Sequence, residues 1–441
     1  MFFFHAVTFL LLFNQLPDTT EKKPFSTDEL WLKIAISGSR KRISLVIANF
    51  SVPNGTSPET TALTKAIQEV FTADLRFSLY FTFEEPESGK IYTFSTDQKK
   101  PDLKGWATTG AEVLICGDFI LKRNTSSIGL RLYDLASSKL IATKSYPLGR
   151  NYRWIAHKMA DDVIKLLTGE DGVSCTRIAF SQMFQPAHKE LSAVDYDGHN
   201  LAQLTSSGGM KLYADWSPKG EQIAFCSYSD RSLNIYLLEI SSRRVTTISD
   251  RKGLNTTPAF SPDGKLLAVS LTFEGNSDIY LMNSDGKNLR RLTTSPAIDI
   301  SPTFSPSGRE IAFVSDRTGT PQIYIMNIDG TDQRRLTFFG SYNTSPAWSP
   351  KGDLIAFVQR QLDGSNQICL IDILGEAYYR LTSIGNNEDP AWAPDGLHLT
   401  FTSDRTGNWE IYTMDWNGAN QTQITRTGGA QSPTWSPRLS R

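Results

Sequence analysis

Cysteine and histidine are scarce in this chain, with 4 and 5 in 441 residues. Cys116, Cys175, Cys226 and Cys369 are scattered, which excludes a disulfide framework, and they read as small buried hydrophobes. Pairing of Cys226 with Cys369 is excluded by geometry, since they fall on different strands of repeat units three apart. His5, His157, His188, His199 and His398 show no helical zinc-site spacing. No Gly-x-Ser-x-Gly elbow or Gly-x-x-x-x-Gly-Lys loop occurs, so no catalytic residue, metal or cofactor is expected. An excess of either charge is also missing: 45 Lys and Arg stand against 46 Asp and Glu. That balance leaves no electrostatic footprint for nucleic acid. Long apolar runs are confined to Phe2–Phe13, too short to span a bilayer. The run fits the apolar region of a secretory signal, although no Lys or Arg precedes it. Residues 1–17 are expected to be a signal peptide.

What the chain has in abundance is repetition. Trp216-Ser217-Pro218-Lys219-Gly220 returns as Phe260-Ser261-Pro262-Asp263-Gly264, then as Phe304-Ser305-Pro306-Ser307-Gly308. Trp348-Ser349-Pro350-Lys351-Gly352 and Trp392-Ala393-Pro394-Asp395-Gly396 follow, and Trp435-Ser436-Pro437 is a truncated last copy. Such a period marks stacked supersecondary units. Within one unit, Ser301–Phe304, Ile311–Ser315, Gln322–Met326 and Arg335–Thr337 read as four short strands. A Pro/Gly turn and an Asp-Gly hairpin signal separate them. Units of this kind arranged around an axis make a β-propeller. Arg177–Phe180, Leu191–Asp195 and Leu201–Thr205 match a unit that lacks its first strand, and Ser432–Pro437 is a first strand without the others. The two fragments are expected to complete a sixth blade.

The remaining sequence reads differently. Residues 18–168 alternate strands with two helical stretches, Pro58–Leu75 and Tyr152–Leu167, as in a small α/β domain. Residues 169–176 form the linker, and 177–441 the propeller. The pairs Asp230-Arg231, Asp316-Arg317 and Asp404-Arg405 recur with the repeat and are expected to cap turns and bridge to the next blade. The aromatic on each first strand is expected to pack between blades.

Function should lie where the repeat varies. The first strand of each blade is innermost, so the residues entering it surround one mouth of the channel. Asn255, Thr256, Asp299, Asn343, Asn387 and Glu388 stand there, a polar and heterogeneous set. It suits recognition of a partner surface better than catalysis, which needs convergent groups. The first domain enters the propeller at a second strand, whose start lies on the opposite face, so the ringed mouth is expected to be free. An alternative is a propeller-fold hydrolase or lyase acting on peptide or carbohydrate in the channel. A lyase would place histidines or metal ligands at the mouth, and a peptidase would need a nucleophile domain.

Signal, α/β domain and six blades closed by the last strand together resemble the TolB family of the bacterial Tol–Pal envelope system. The more specific likenesses are Ala73-Asp74-Leu75-Arg76, Trp106 to Gly117, Lys165-Leu166-Leu167-Thr168-Gly169 through Thr176-Arg177-Ile178-Ala179-Phe180, and Asp195-Tyr196-Asp197-Gly198. The resemblance implies a periplasmic, non-enzymatic and monomeric adaptor acting in envelope integrity and cell division. It implies binding of the peptidoglycan-associated lipoprotein (Pal) at the channel mouth. It also implies contact with the C-terminal domain of TolA through the N-terminal segment, Asp18 to Ile36, and contact with outer-membrane lipoproteins. Glu21–Trp31 departs from the family pattern.

Overall fold

The computed structural model describes residues 42–86, 94–95, 100–122, 125–229 and 232–439. The expected signal, the segment Asp18 to Ile36 and the pair Asp230-Arg231 lie outside the described residues.

The N-terminal domain is a five-stranded sheet under two long helices. Helix α1 (Pro58–Phe77) starts where Ser57 accepts a hydrogen bond from the Thr60 N–H and proline takes the first turn, a position where its missing N–H costs nothing. Short helix α2 spans Leu103–Ala107. Helix α3 (Tyr152–Thr168) is capped by Asn151 and stopped by Gly169 at φ +79°, a left-handed conformation that favours glycine. The strand order is Phe81–Phe83, Ile43–Ile47, Val113–Lys122, Thr125–Asp134, Lys139–Pro147. The first two pairings are parallel and the rest antiparallel. Strand alternation divides the core in two. Leu45 and Ile115 pack with Ile67 and Phe71 of α1 and Met159 and Val163 of α3. Val46, Leu114 and Cys116 face the other way, toward Leu103 and Trp106.

The rest of the chain is a β-propeller. Four sheets have four antiparallel strands each, in chain order from the axis outward, such as Asn255–Phe260, Leu266–Leu271, Asp278–Asn283 and Arg290–Arg291. The remaining strands join in one eight-stranded sheet. Within it the C-terminal strand Ala430–Trp435 pairs antiparallel with Arg177–Gln185, the pairing expected from the two fragments. A single parallel bridge, Met210 to Lys189, links that group to Met210–Trp216 and its partners.

The repeated motif earns its recurrence at the blade junctions. In Ser261-Pro262-Asp263-Gly264 the Gly264 N–H donates to the Ser261 carbonyl at 2.8 Å, and Gly264 sits at φ +72°. A Cβ there would lie 3.3 Å from Pro218 of the preceding unit, so the glycine of one unit seats on the proline of the last. The aromatics behave as expected: the Trp392 indole N–H donates to the Ala347 carbonyl at 3.0 Å, and the ring is buried between sheets. All four cysteines are free and buried.

Candidate partner-binding face of the propeller

Each innermost strand carries a register shift. At each shift a residue other than glycine takes positive φ: Tyr213, Thr257, Ser301, Ser345, Asp389 and Ser432, between 47° and 56°. These are β-bulges, which bend the strand and re-aim a side chain. Non-glycine residues in this region cost of order 1 kcal/mol each, so the inter-blade packing must hold them there.

One of the six is acidic. Asp389 accepts from the hydroxyls of Ser432 at 2.8 Å and Ser345 at 3.4 Å, its neighbours on either side of the ring. Burial raises the Asp389 pKa, and those two hydroxyls and the Lys189 charge pull the other way. Burial also raises Glu388, helped by the charge of Asp389. Burial lowers Lys189, and Asp389 opposes that shift.

The mouth residues singled out in the sequence divide into two groups. Asn255, Asp299, Asn343 and Asn387 are fully buried and turn into the blades. Asn255 accepts from Ser249 at 2.6 Å and donates to the Arg251 carbonyl at 2.7 Å. Asn343 donates to Gln322 at 2.8 Å, and Asn387 to Gln367 at 2.9 Å. The bonds to Ser249, Gln322 and Gln367 reach back to the preceding sheet. Asp299 pairs with Arg317 at 3.1 Å. Thr256 and Glu388 are only half-buried, and the Glu388 carboxylate accepts from Asn366 at 2.8 Å.

The two described Asp-Arg pairs, Asp316-Arg317 and Asp404-Arg405, work within a blade, not between blades as expected. The Asp316 carboxylate accepts from the Ile298 N–H at 2.8 Å, and Asp404 from the Asn386 N–H at 2.6 Å. Both bonds tie a turn to the loop entering the innermost strand of the same sheet. Arg317 and Arg405 lie over aromatic pairs of their own sheets, Phe313 with Tyr324 and Phe401 with Tyr412. The physical reason is reach: the guanidinium folds back over the strand it follows and meets the first residue of the innermost strand.

Large apolar side chains are also exposed on this face. Leu254, Ile298, Phe338 and Ile384 sit in the loops that lead into innermost strands, and Leu362 in the turn after Leu354–Arg360. Phe338 is 69% exposed, Ile384 64% and Leu362 105%. Large apolar groups in otherwise polar loops were the available signal. All five lie in loops on the face where the innermost strands begin, and the Phe338 ring lies under Arg335 of an outermost strand. Among the described residues no group of three or more His, Cys, Asp or Glu is placed to hold a metal ion.

Residues 164–439 match a family model described as the TolB beta propeller domain, and residues 32–141 one described as the TolB amino-terminal domain. The chain belongs to the TolB family. It is similar to the Tol-Pal system protein TolB of Geobacter sulfurreducens, 37% identical over 223 residues, 50% of each chain. It is similar also to that of Syntrophotalea carbinolica, 35% identical over 188 residues, 41% of this chain and 42% of the relative. The chain thus spans about half the length of the curated relatives it matches. The crystal structure of TolB from Acinetobacter baumannii superposes with a TM-score of 0.76 at 26% identity. That likeness covers 90% of this chain and 97% of the other, so domain order and fold are shared along almost the whole TolB chain. Among the described residues no helix is long and apolar enough to cross a membrane.

Proposed function

We propose that this protein is a periplasmic, non-enzymatic adaptor of the Tol–Pal system that binds the peptidoglycan-associated lipoprotein at the mouth of its propeller. The observation that carries the reading is the set of exposed apolar side chains, Leu254, Ile298, Phe338, Leu362 and Ile384, in loops on the face where the innermost strands begin, beside a frame of buried hydrogen-bonded polar groups. A preformed rim binds without paying to order itself, and large apolar side chains supply the anchors. In this reading Asn255, Asp299, Asn343 and Asn387 hold the rim in shape, while Thr256 and Glu388 meet the partner. The eight-stranded sheet is taken as two blades joined by one bridge, giving six blades in all. The segment Asp18 to Ile36 would contact TolA, and the role in the cell would be envelope integrity and division.

The test is affinity purification of the tagged protein from its own envelope fraction. Recovery of a peptidoglycan-associated lipoprotein, with a bait trimmed near residue 17, supports the reading. An untrimmed bait without an envelope partner overturns it.

A further inference from the structure

The two domains meet around the C-terminal end of α1, where two buried histidines sit, one from each domain. Asp74, in the last turn of α1, is 1% exposed. One of its carboxylate oxygens accepts from the Tyr196 hydroxyl of the propeller. The other lies 2.7 Å from Nδ1 of His157 on α3. Nε2 of His157 lies 3.6 Å from Asp197 of the propeller, which pairs with Arg153 of α3. Two carboxylates therefore share this buried junction with Arg153 and His157, and the charges balance while one proton rests on the His157–Asp74 pair, whose carboxyl is itself pushed up by burial. Burial works to strip the proton from His157. The Asp74 hydrogen bond and charge, together with Asp197, outweigh burial and hold the His157 pKa above the ordinary histidine value.

The second histidine grips the same helix end. The Phe77 ring stacks on His398 of the propeller, with 3.9 Å between centroids. The Phe77 carbonyl lies 2.8 Å from His398 Nε2, and Asp395 lies 2.7 Å from Nδ1. Both nitrogens face acceptors, a helix-terminal carbonyl and a carboxylate, which a ring with two N–H groups satisfies. The other charged groups nearby are engaged elsewhere. Asp161 of α3 pairs with Arg438 and accepts from the Ser174 and Cys175 N–H groups. Asp195 pairs with Arg177. Asp415, 4.0 Å from His398, accepts from Asn420 and feels the charge of Arg42. His199, 3.4 Å from Asp197, is more than half exposed, where solvent screens it.

We propose that this interface is a proton-dependent latch: the proton that His157 holds between Asp74 and Asp197 fastens the C-terminal end of α1 to the propeller, and its loss loosens the N-terminal domain. The sign follows from linkage. A histidine that holds its proton more tightly when docked stabilises docking below the ordinary histidine range, and that stabilisation fades as pH rises through the raised value. The consequence is a joint whose stiffness follows the pH around it, in a protein whose two ends are proposed to meet different partners.

Hydrogen exchange on the full chain tests this, from about pH 5.5 to about pH 8.5, the window that brackets histidine titration. Rates are corrected for the intrinsic pH dependence of exchange. Protection of residues 74–78 and 196–199 should fall by about tenfold for each pK unit of His stabilisation lost. Amides of the propeller core, such as those of Ile323 and Ile325, should hold. The variant His157→Gln should remove the pH dependence. If that variant does not fold, Asp197→Asn, which removes one of the charges that hold the His157 proton, should weaken it. Protection that is flat with pH in the unmodified chain, or a pH dependence that survives these substitutions, overturns the latch.

Discussion

Ser436 and Arg177, 259 positions apart, are tied by two hydrogen bonds. The Ser436 N–H donates to the Arg177 carbonyl at 2.8 Å, and the Arg177 N–H donates to the Ser436 hydroxyl at 2.8 Å. One residue opens the propeller's first strand in sequence and the other follows its last. The sheet they close removes two edges that would otherwise stand unpaired.

Removing that closure should be costly. Ser436→Ala leaves a buried N–H without an acceptor and should cost about 1–3 kcal/mol. Deleting residues 430–441 takes away a whole innermost strand with Trp435, and should abolish cooperative unfolding of the propeller. Thermal and denaturant unfolding check both, and a truncated chain that melts like the full one would contradict the closure.

Trp392 is an inter-blade wedge, buried among Leu370, Tyr379 and Leu399 with its indole N–H bonded across the junction. Trp392→Ala should cost about 3–5 kcal/mol, the range for large-to-small changes in cores. Trp392→Phe, which keeps most of the apolar volume and loses the hydrogen bond, should cost about 1–2 kcal/mol. Denaturant midpoints distinguish the two.

Asp215 gives the wall of the channel a pH dependence. Burial pushes its pKa up to about 7, against the hydrogen bonds from the Phe260 and Trp216 N–H groups and Thr434 that favour the charge. The folded state then holds a proton that the unfolded chain releases at a lower pH. Stability falls as pH rises from the ordinary carboxylate range toward 7 and levels off above it. Asp215→Asn should raise the melting temperature at about pH 8 and change it little at about pH 4. Equal effects at both values would show that the carboxyl titrates normally.

Much of the fold was legible because a repeat advertises itself: the Pro/Gly turns, the aromatic wedges and the C-terminal strand follow from spacing. Helices α1 and α3 were legible as helical stretches, and their caps at Ser57 and Asn151 came only with the structure. The site was less so. Asn255, Asp299, Asn343 and Asn387 look like mouth residues by position, yet the bulge two residues on turns them into the blades, and nothing local in the sequence shows where an amide points. Phe338, Leu362 and Ile384 hid for the opposite reason, since an apolar residue in a loop reads as core until its exposure is known. His157 and His398 stand 241 positions apart (398 − 157), and only the docking of the two domains brings them to one helix end.

The division of the mouth into frame and contact predicts a split in mutant behaviour. Asn343→Ala and Asn387→Ala should each cost about 1–3 kcal/mol of stability through partners left unsatisfied. Phe338→Ala, Leu362→Ala and Ile384→Ala should leave stability within about 0.5 kcal/mol, as exposed positions do. Unfolding curves for the five variants check it.

The most direct test of the account is a calorimetric titration of the full chain with the soluble domain of a peptidoglycan-associated lipoprotein, repeated with Phe338→Ala combined with Ile384→Ala. The account predicts saturable one-to-one binding that this variant weakens by at least about tenfold, the loss of about 1.4 kcal/mol, with the fold intact. No binding, or binding that the variant leaves unchanged, would contradict a partner seated on the channel mouth.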